Sequence, residues 1–216
     1  MVPLPKSTDK TNSTNYRPIS LLSVLSKLLE KHVHIYLNDY LEKRQLLHPF
    51  QSKFRRKYCC NTVLARLTNS WLTAMNKSEV SGIVFLDLKK AFDQVDHDIL
   101  LKRFAIYLKN SSSLPFSKSY LHNRTQCVLL HGSYSSKESV KYGVPQGSVW
   151  GPILFSLFIN DLPLHVKNIS VDCDMLADDT HGDRKSKHQE FQWTPQLWRE
   201  SEGGGEQLDF NLLSTA

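Results

Sequence analysis

No stretch of this 216-residue sequence approaches the roughly eighteen consecutive apolar residues that a membrane-spanning helix needs. The most apolar run, "GPILFSLFINDL", is short and carries Asn160 and Asp161. The first ten residues, "MVPLPKSTDK", have no apolar core of the kind a signal peptide requires. These absences predict a soluble intracellular protein, nuclear or cytoplasmic, with no membrane partner. Cysteine is scarce too. Cys59, Cys60, Cys127 and Cys173 contain no CxxC spacing, which speaks against a zinc site. They read as reduced thiols acting as small apolar residues. No internal repeat is present.

What the sequence does have is an ordinary globular composition, 40% hydrophobic and 22% charged. That suffices for one sizeable domain, or one domain and a fragment of another. The net charge of +6 fits a polyanionic partner without requiring one. Residues 1 to 16 read as extended and polar. Ser20 or Ser23 can cap a helix running through "LLSVLSKLLEKHVHIYLNDYLEKRQLL". Leu22, Leu25, Leu29, Val33 and Tyr36 form one apolar face of it. "NTVLARLTNSWLTAMNK" and "HDILLKRFAIYLKN" are further helices, with Asp96 or Asp98 near the start of the second. Capping explains the acids of Asp96-His97-Asp98 better than a metal does. "SGIVFLDL" and "VDCDML" are buried strands, "QCVLLHGSYSSKESVKYGV" is a hairpin turning near Gly132-Ser133, and "GPILFSLFINDLPLHV" is a buried helix. Beyond His181 the pattern predicts no element except a turn of helix at "QLWRE".

The acids carry the chemistry. Asp87 stands inside an apolar strand, where a solitary carboxylate needs a partner. Lys89 and Lys90 could supply an ordinary one. Asp178 and Asp179 end a second strand, and adjacent carboxylates are costly to desolvate. On neighbouring strands, about 4.8 Å apart, these acids would make an oxygen-rich site for two hard cations. Such sites suit in-line displacement at phosphorus.

"NYRPISLLSVLSKLLEK", "FLDLKKAFDQVDHDILL", "YLHNRTQ", "YGVPQGSVWGPILFSLFINDLP" and "LADDT" occur in that order. Together they closely resemble the reverse transcriptase domain of non-LTR (LINE-type) retrotransposons, particularly the jockey kind, from about Val2 to Thr180. The resemblance implies an α+β right-hand polymerase fold, with fingers and an antiparallel palm sheet backed by helices over residues 1–180. Residues 181–216 would be a degenerate or truncated end of the palm, without a thumb. It implies RNA-directed DNA polymerase activity with an RNA template, a DNA primer and dNTPs. It also implies roles: Asp87, Asp178 and Asp179 as catalytic acids, holding two Mg²⁺ ions (or Mn²⁺) with the Leu88 carbonyl. Lys6 and Arg17 would hold the triphosphate, as a guanidinium does through paired donors. Phe92 would lie beneath the sugar and select against a 2′-hydroxyl. Gln146 and Gly147 would meet the nascent base pair. Simpler roles exist for each: an ion pair for Arg17, core packing for Phe92, a plain turn for "PQGS".

The sequence departs from the family in places. Leu176 stands where a Tyr near the primer end is usual. Trp150 replaces an aliphatic residue and could overfill the packing beneath its loop. Lys53 replaces a Gly and would be strained at positive φ. "HGDRKSKHQEF" replaces an apolar strand after Thr180, "QLDFN" resembles the opening of the next palm segment, and the lysine expected beyond it does not follow. The alternative to an active enzyme is therefore a non-catalytic remnant that at most binds nucleic acid.

Overall fold

The computed structural model describes residues 1–55, 58–88, 90–108, 113–166, 172–176, 179–186 and 209–211. They fall into two compact units, Met1–Leu46 with Phe92–Phe158, and Leu47–Ala91 with Ile159–Ala216.

In the first unit, β1 (Val2–Pro5) pairs antiparallel with β2 (Tyr16–Ile19). The polar cluster between them closes on itself, because Asp9 accepts from the Thr11 amide and Asn12 from the Thr14 amide. Helix α1 (Val24–Lys43) starts at Ser23, whose hydroxyl accepts from the Ser26 amide at 3.1 Å. Its buried residues are Glu30, Leu37, Asn38 and Leu41, whereas Leu25, Leu29 and Tyr36 are exposed. The face expected from the sequence is thus not the one that packs. Leucines occur on both faces, so the periodicity alone does not rank them. Helix α3 (His97–Tyr107) is capped as expected: Asp96 Oδ1 accepts from the amides of Asp98 and Ile99 at 2.8 and 2.9 Å. Helix α4 (Ser113–Leu121) is absent from the sequence expectation. Its Pro115 sits in the first turn, where the missing N–H costs nothing.

The expected hairpin is a pair of short ladders. Strand β4 (Thr125–Gln126) pairs with β7 (Glu138–Ser139), and β5 (Leu129–Leu130) with β6 (Ser133–Tyr134). His131 and Gly132 both take positive φ, 49° and 81°, as a two-residue turn of this hand demands. Helix α5 (Gly151–Phe158) is almost wholly buried. Trp150 before it is fully buried as well, edge-on to Phe116 and Tyr120 at 5.1 Å. Neighbouring aromatics, Phe104 included, shape the space that the indole fills.

In the second unit, α2 (Cys60–Asn76) packs on a four-stranded antiparallel sheet. The order is β10 (Asp209–Asn211), β3 (Val80–Asp87), β9 (Asp179–Ser186), β8 (Asp172–Leu176). The segment at Phe50–Ser52 bonds to Met175 along the outer edge of β8. The long apolar run after Trp150 is not one helix. A separate α6 (Leu162–Val166) follows a break, where Asn160 Oδ1 accepts from the His48 amide at 2.7 Å. Strand β9 runs through "THGDRKS", where the sequence predicts no element. Backbone pairing on both edges, to β3 and β8, holds it despite its polarity. The segment "QLWRE" lies outside the described residues.

Two buried polar residues face each other across that sheet. Asp174 on β8 pairs with His181 on β9, Nε2 to Oδ2 at 3.4 Å, and also with Arg66 of α2. The Arg66 guanidinium lies 4.9 Å from the Phe50 ring centroid. Cys173 beside it is buried, and burial alone pushes its thiol up to about 12, so it stays protonated. All four cysteines are free. The positive φ near Lys53 falls on Phe54 instead, at 63°. No helix among the described residues is long and apolar enough to cross a membrane.

Removing one partner of a buried ion pair strands the other, at a cost of roughly 3–5 kcal/mol. Asp174→Ala is therefore expected to lower unfolding stability by about 3 kcal/mol in a urea titration, since Arg66 is partly exposed. Asp39→Ala, which breaks the exposed α1 pair with Lys43, should cost under about 0.5 kcal/mol. Equal losses at both positions would contradict the buried network.

Candidate active site

The apolar run of β3 carries Asp87 to the end of the strand. There it sits directly opposite Asp179, the first residue of β9, while Asp209 of β10 pairs with it on the other edge. Opposed positions in an antiparallel ladder have Cα atoms about 4.5–5.5 Å apart. The register thus brings the positions of Asp87 and Asp179 together. Asp178, Lys89 and the side chains of Asp87 and Asp179 lie outside the described residues. The Leu88 carbonyl accepts from the Ala91 amide at 3.2 Å, closing a turn in which Lys90 takes φ 54°. A carbonyl has a second lone pair, which this bond leaves unused. Among the described residues no three His, Cys, Asp or Glu side chains gather as a metal site. Carboxylate and carbonyl oxygens are the donor set that suits a hard divalent cation.

The first unit holds the other expected residues. Gln146 and Gly147 lie in the loop before α5, and each is fixed. The Ser20 amide donates to the Gln146 carbonyl at 2.8 Å, and the Gln146 side-chain amide donates to Asp93 Oδ1 at 2.9 Å. Gly147 takes φ +96°, and a Cβ there would meet the Ser20 carbonyl at 3.3 Å. The positive φ strains any side chain there, and the Ser20 carbonyl would have to give way to a Cβ. The preceding strand-like stretch runs against residues 92–95: Gly143 donates to the Val95 carbonyl and Val144 to the Phe92 carbonyl, each at 2.8 Å. Asp93, Gln146, Arg124 and Tyr142 line a cavity of about 530 Å³ beside this loop.

Phe92 stacks on Phe155 at 4.5 Å and is half-buried, so part of its ring packs and part stays accessible. Arg17 is exposed on β2, and no ion pair engages it among the described residues. Lys6 is exposed and hangs from a backbone bond to Asn15 at 2.7 Å.

Sequence reasoning missed the groups that hold the loop. Asp93 and Ser20 pin Gln146. Farther along, Glu30 Oε2 accepts from the amides of Val149 at 2.8 Å and Trp150 at 3.4 Å. Its Oε1 accepts from the Tyr120 hydroxyl at 3.0 Å. Burial first, then the Glu30 charge, pushes the Tyr120 phenol up to about 12, so it remains a donor. Glu30 lies one heptad before Leu37 and so shares its buried face. A carboxylate on that face was the available signal.

Residues 4–194 match the family described as reverse transcriptase (RNA-dependent DNA polymerase). The chain belongs to the reverse transcriptase family. It is 41% identical over 152 residues to a probable RNA-directed DNA polymerase from the transposon BS of Drosophila melanogaster. That match covers 69% of this chain and 16% of the relative. To the RNA-directed DNA polymerase from the mobile element jockey of the same organism it is 38% identical, covering 82% of this chain and 20% of the relative. This reverse transcriptase sequence therefore spans about a sixth to a fifth of these relatives. Its backbone resembles apo telomerase from Candida tropicalis, truncated from its C-terminal domain, with TM-score 0.58 and 14% identity. That likeness covers 82% of this chain and 36% of the other. Candida albicans telomerase, in complex with a TWJ fragment of telomeric RNA, gives TM-score 0.56 and 12% identity, covering 82% of this chain and 32% of the other. The fold is that of a reverse transcriptase.

Gly147→Ala forces a side chain into the left-handed region against the Ser20 carbonyl. It is expected to cost about 1–2 kcal/mol, read as a lower denaturant midpoint. Gly132→Ala, equally left-handed but with open space around it, should cost less. A reversed order would contradict the close approach at Gly147.

Proposed function

We propose that this chain carries the fingers and palm of a LINE-type reverse transcriptase and catalyses RNA-directed DNA synthesis. It would take an RNA template, a DNA primer and dNTPs, with residues 1–180 as fingers and palm and 181–216 as the end of the palm. The register that sets Asp87 opposite Asp179 carries this reading. A strand pair with acids at one end, one of them doubled, is what two-cation phosphoryl chemistry needs.

Asp87, Asp178 and Asp179, with the Leu88 carbonyl, are the groups that would hold two Mg²⁺ ions, or Mn²⁺ in their place. When bound, such ions activate an attacking hydroxyl and neutralise the charge of a departing pyrophosphate. The remaining residues bind and select. Arg17 presents two donors to phosphate oxygens, and Lys6 adds a point charge. The half-buried Phe92 ring would lie under the sugar and collide with a 2′-hydroxyl, favouring dNTP over NTP. Its stack on Phe155 stops it yielding. Gln146 and Gly147 meet the nascent base pair through a loop too constrained to shift.

Primer extension on an RNA template, with the purified chain and Mg²⁺ or Mn²⁺, tests this. Asp178→Asn should lower extension by about a hundredfold or more, as misplacing a reacting group does. Salt-dependent binding of an RNA–DNA hybrid with no extension by a folded protein would overturn the catalytic reading. A nucleic-acid-binding module would stand in its place.

A further inference from the structure

We infer that Glu30 is a positioning residue for the nucleotide site, fixing through its carboxylate the backbone of the loop that presents Gln146 and Gly147. The inference rests on the function proposed above. Glu30 is 1% exposed, and no cation pairs with it among the described residues. Arg124 stacks on the neighbouring Tyr120 ring at 4.8 Å and does not bridge to the acid. An ionised carboxylate offers only acceptors, and here each oxygen is used: Val149 and Trp150 amides on one, the Tyr120 hydroxyl on the other.

Apolar packing does not explain a carboxylate at this position. Leu37 and Leu41, on the same face of α1, pack as apolar residues, and an apolar side chain at residue 30 would avoid the desolvation cost. What a leucine cannot do is accept from amides at the start of α5. Those amides immediately precede α5, whose first helical residue is Gly151. Ser148 Oγ takes the next one, from Gly151, at 2.8 Å.

The loop therefore has three anchors. Ser20 holds the Gln146 carbonyl, Asp93 holds its side chain, and Glu30 holds the backbone three and four residues on. Between them lies Gly147 at φ +96°, a residue with freedom to relax if the far anchor is lost. A shift there moves Gln146 relative to whatever base pair it meets.

The test compares wild type with Glu30→Gln and Glu30→Asp. Glutamine keeps an acceptor oxygen for the amides, and its NH₂ can donate to the Tyr120 hydroxyl. Aspartate keeps the charge but loses the reach. Two quantities are read. The first is amide hydrogen exchange at Val149 and Trp150. The second is dNTP affinity for the protein on primer–template, with Ca²⁺ in place of Mg²⁺ so that no turnover is needed. Glu30→Asp should lose roughly tenfold in both protection and affinity, while Glu30→Gln stays within about threefold of wild type. If Glu30→Asp does not fold, Tyr120→Phe, which removes one donor and keeps the ring, should give a smaller loss of the same kind. Unchanged protection in the shortened or donor-deleted variant overturns the inference. Lost protection with unchanged dNTP affinity overturns its functional half. A wild type that binds no dNTP would instead refute the proposed function, and the exchange result alone would then decide whether Glu30 anchors the loop.

Discussion

The pairing of β3 with β9 is the constraint on which the second unit depends. β3 is the apolar strand. It accepts β9 along its whole length and, on its other edge, β10. β9 has little apolar character of its own and is held by backbone bonds to its neighbours. Because side chains alternate at each step, slipping this register by one residue would turn every side chain of β9 to the opposite face. The position of Asp179 relative to Asp87 is thus a consequence of the ladder, not of any local attraction between two acids that would repel each other.

The same unit shows how a polar strand is buried. His181 lies on β9 two residues after Asp179 and is buried. It is matched across the ladder by Asp174, which in turn takes Arg66 from the helix above. An aliphatic pair would fill this space at lower desolvation cost. This polar set ties α2 to both β8 and β9. In the first unit, the equivalent task falls to Glu30, Asp93 and Ser20, which fix a glycine-containing loop from different sides. Each unit thus commits buried or half-buried acids to holding the backbone near residues expected to handle nucleotide.

How far the sequence revealed this depended on the kind of interaction. Asp87 and the Asp178-Asp179 pair were readable because a carboxylate at the end of an apolar run is anomalous, and their order with "YRPIS" and "PQGS" pointed to a polymerase. Caps at Ser23 and Asp96 follow short-range hydrogen-bonding rules and were readable too. The packing face of α1 was not, since Leu25 and Leu29 repeat as regularly as Leu37 and Leu41. Helix α4 was hidden by Pro115 and the serines before it. Strand β9 was hidden because long-range backbone pairing, which no local pattern records, overrode its polar side chains. Trp150 looked oversized because the aromatic ring of Phe104, Phe116 and Tyr120 that receives it comes from distant segments.

As proposed above, the register of β3 and β9 would build a divalent-cation site from Asp87, Asp178 and Asp179. The most direct test is Mn²⁺ binding followed by electron paramagnetic resonance, in wild type and in Asp87→Asn and Asp179→Asn. The account predicts that wild type depletes the free Mn²⁺ signal and that either variant weakens binding by roughly tenfold or more while remaining folded. Equal Mn²⁺ binding in wild type and both variants would contradict it.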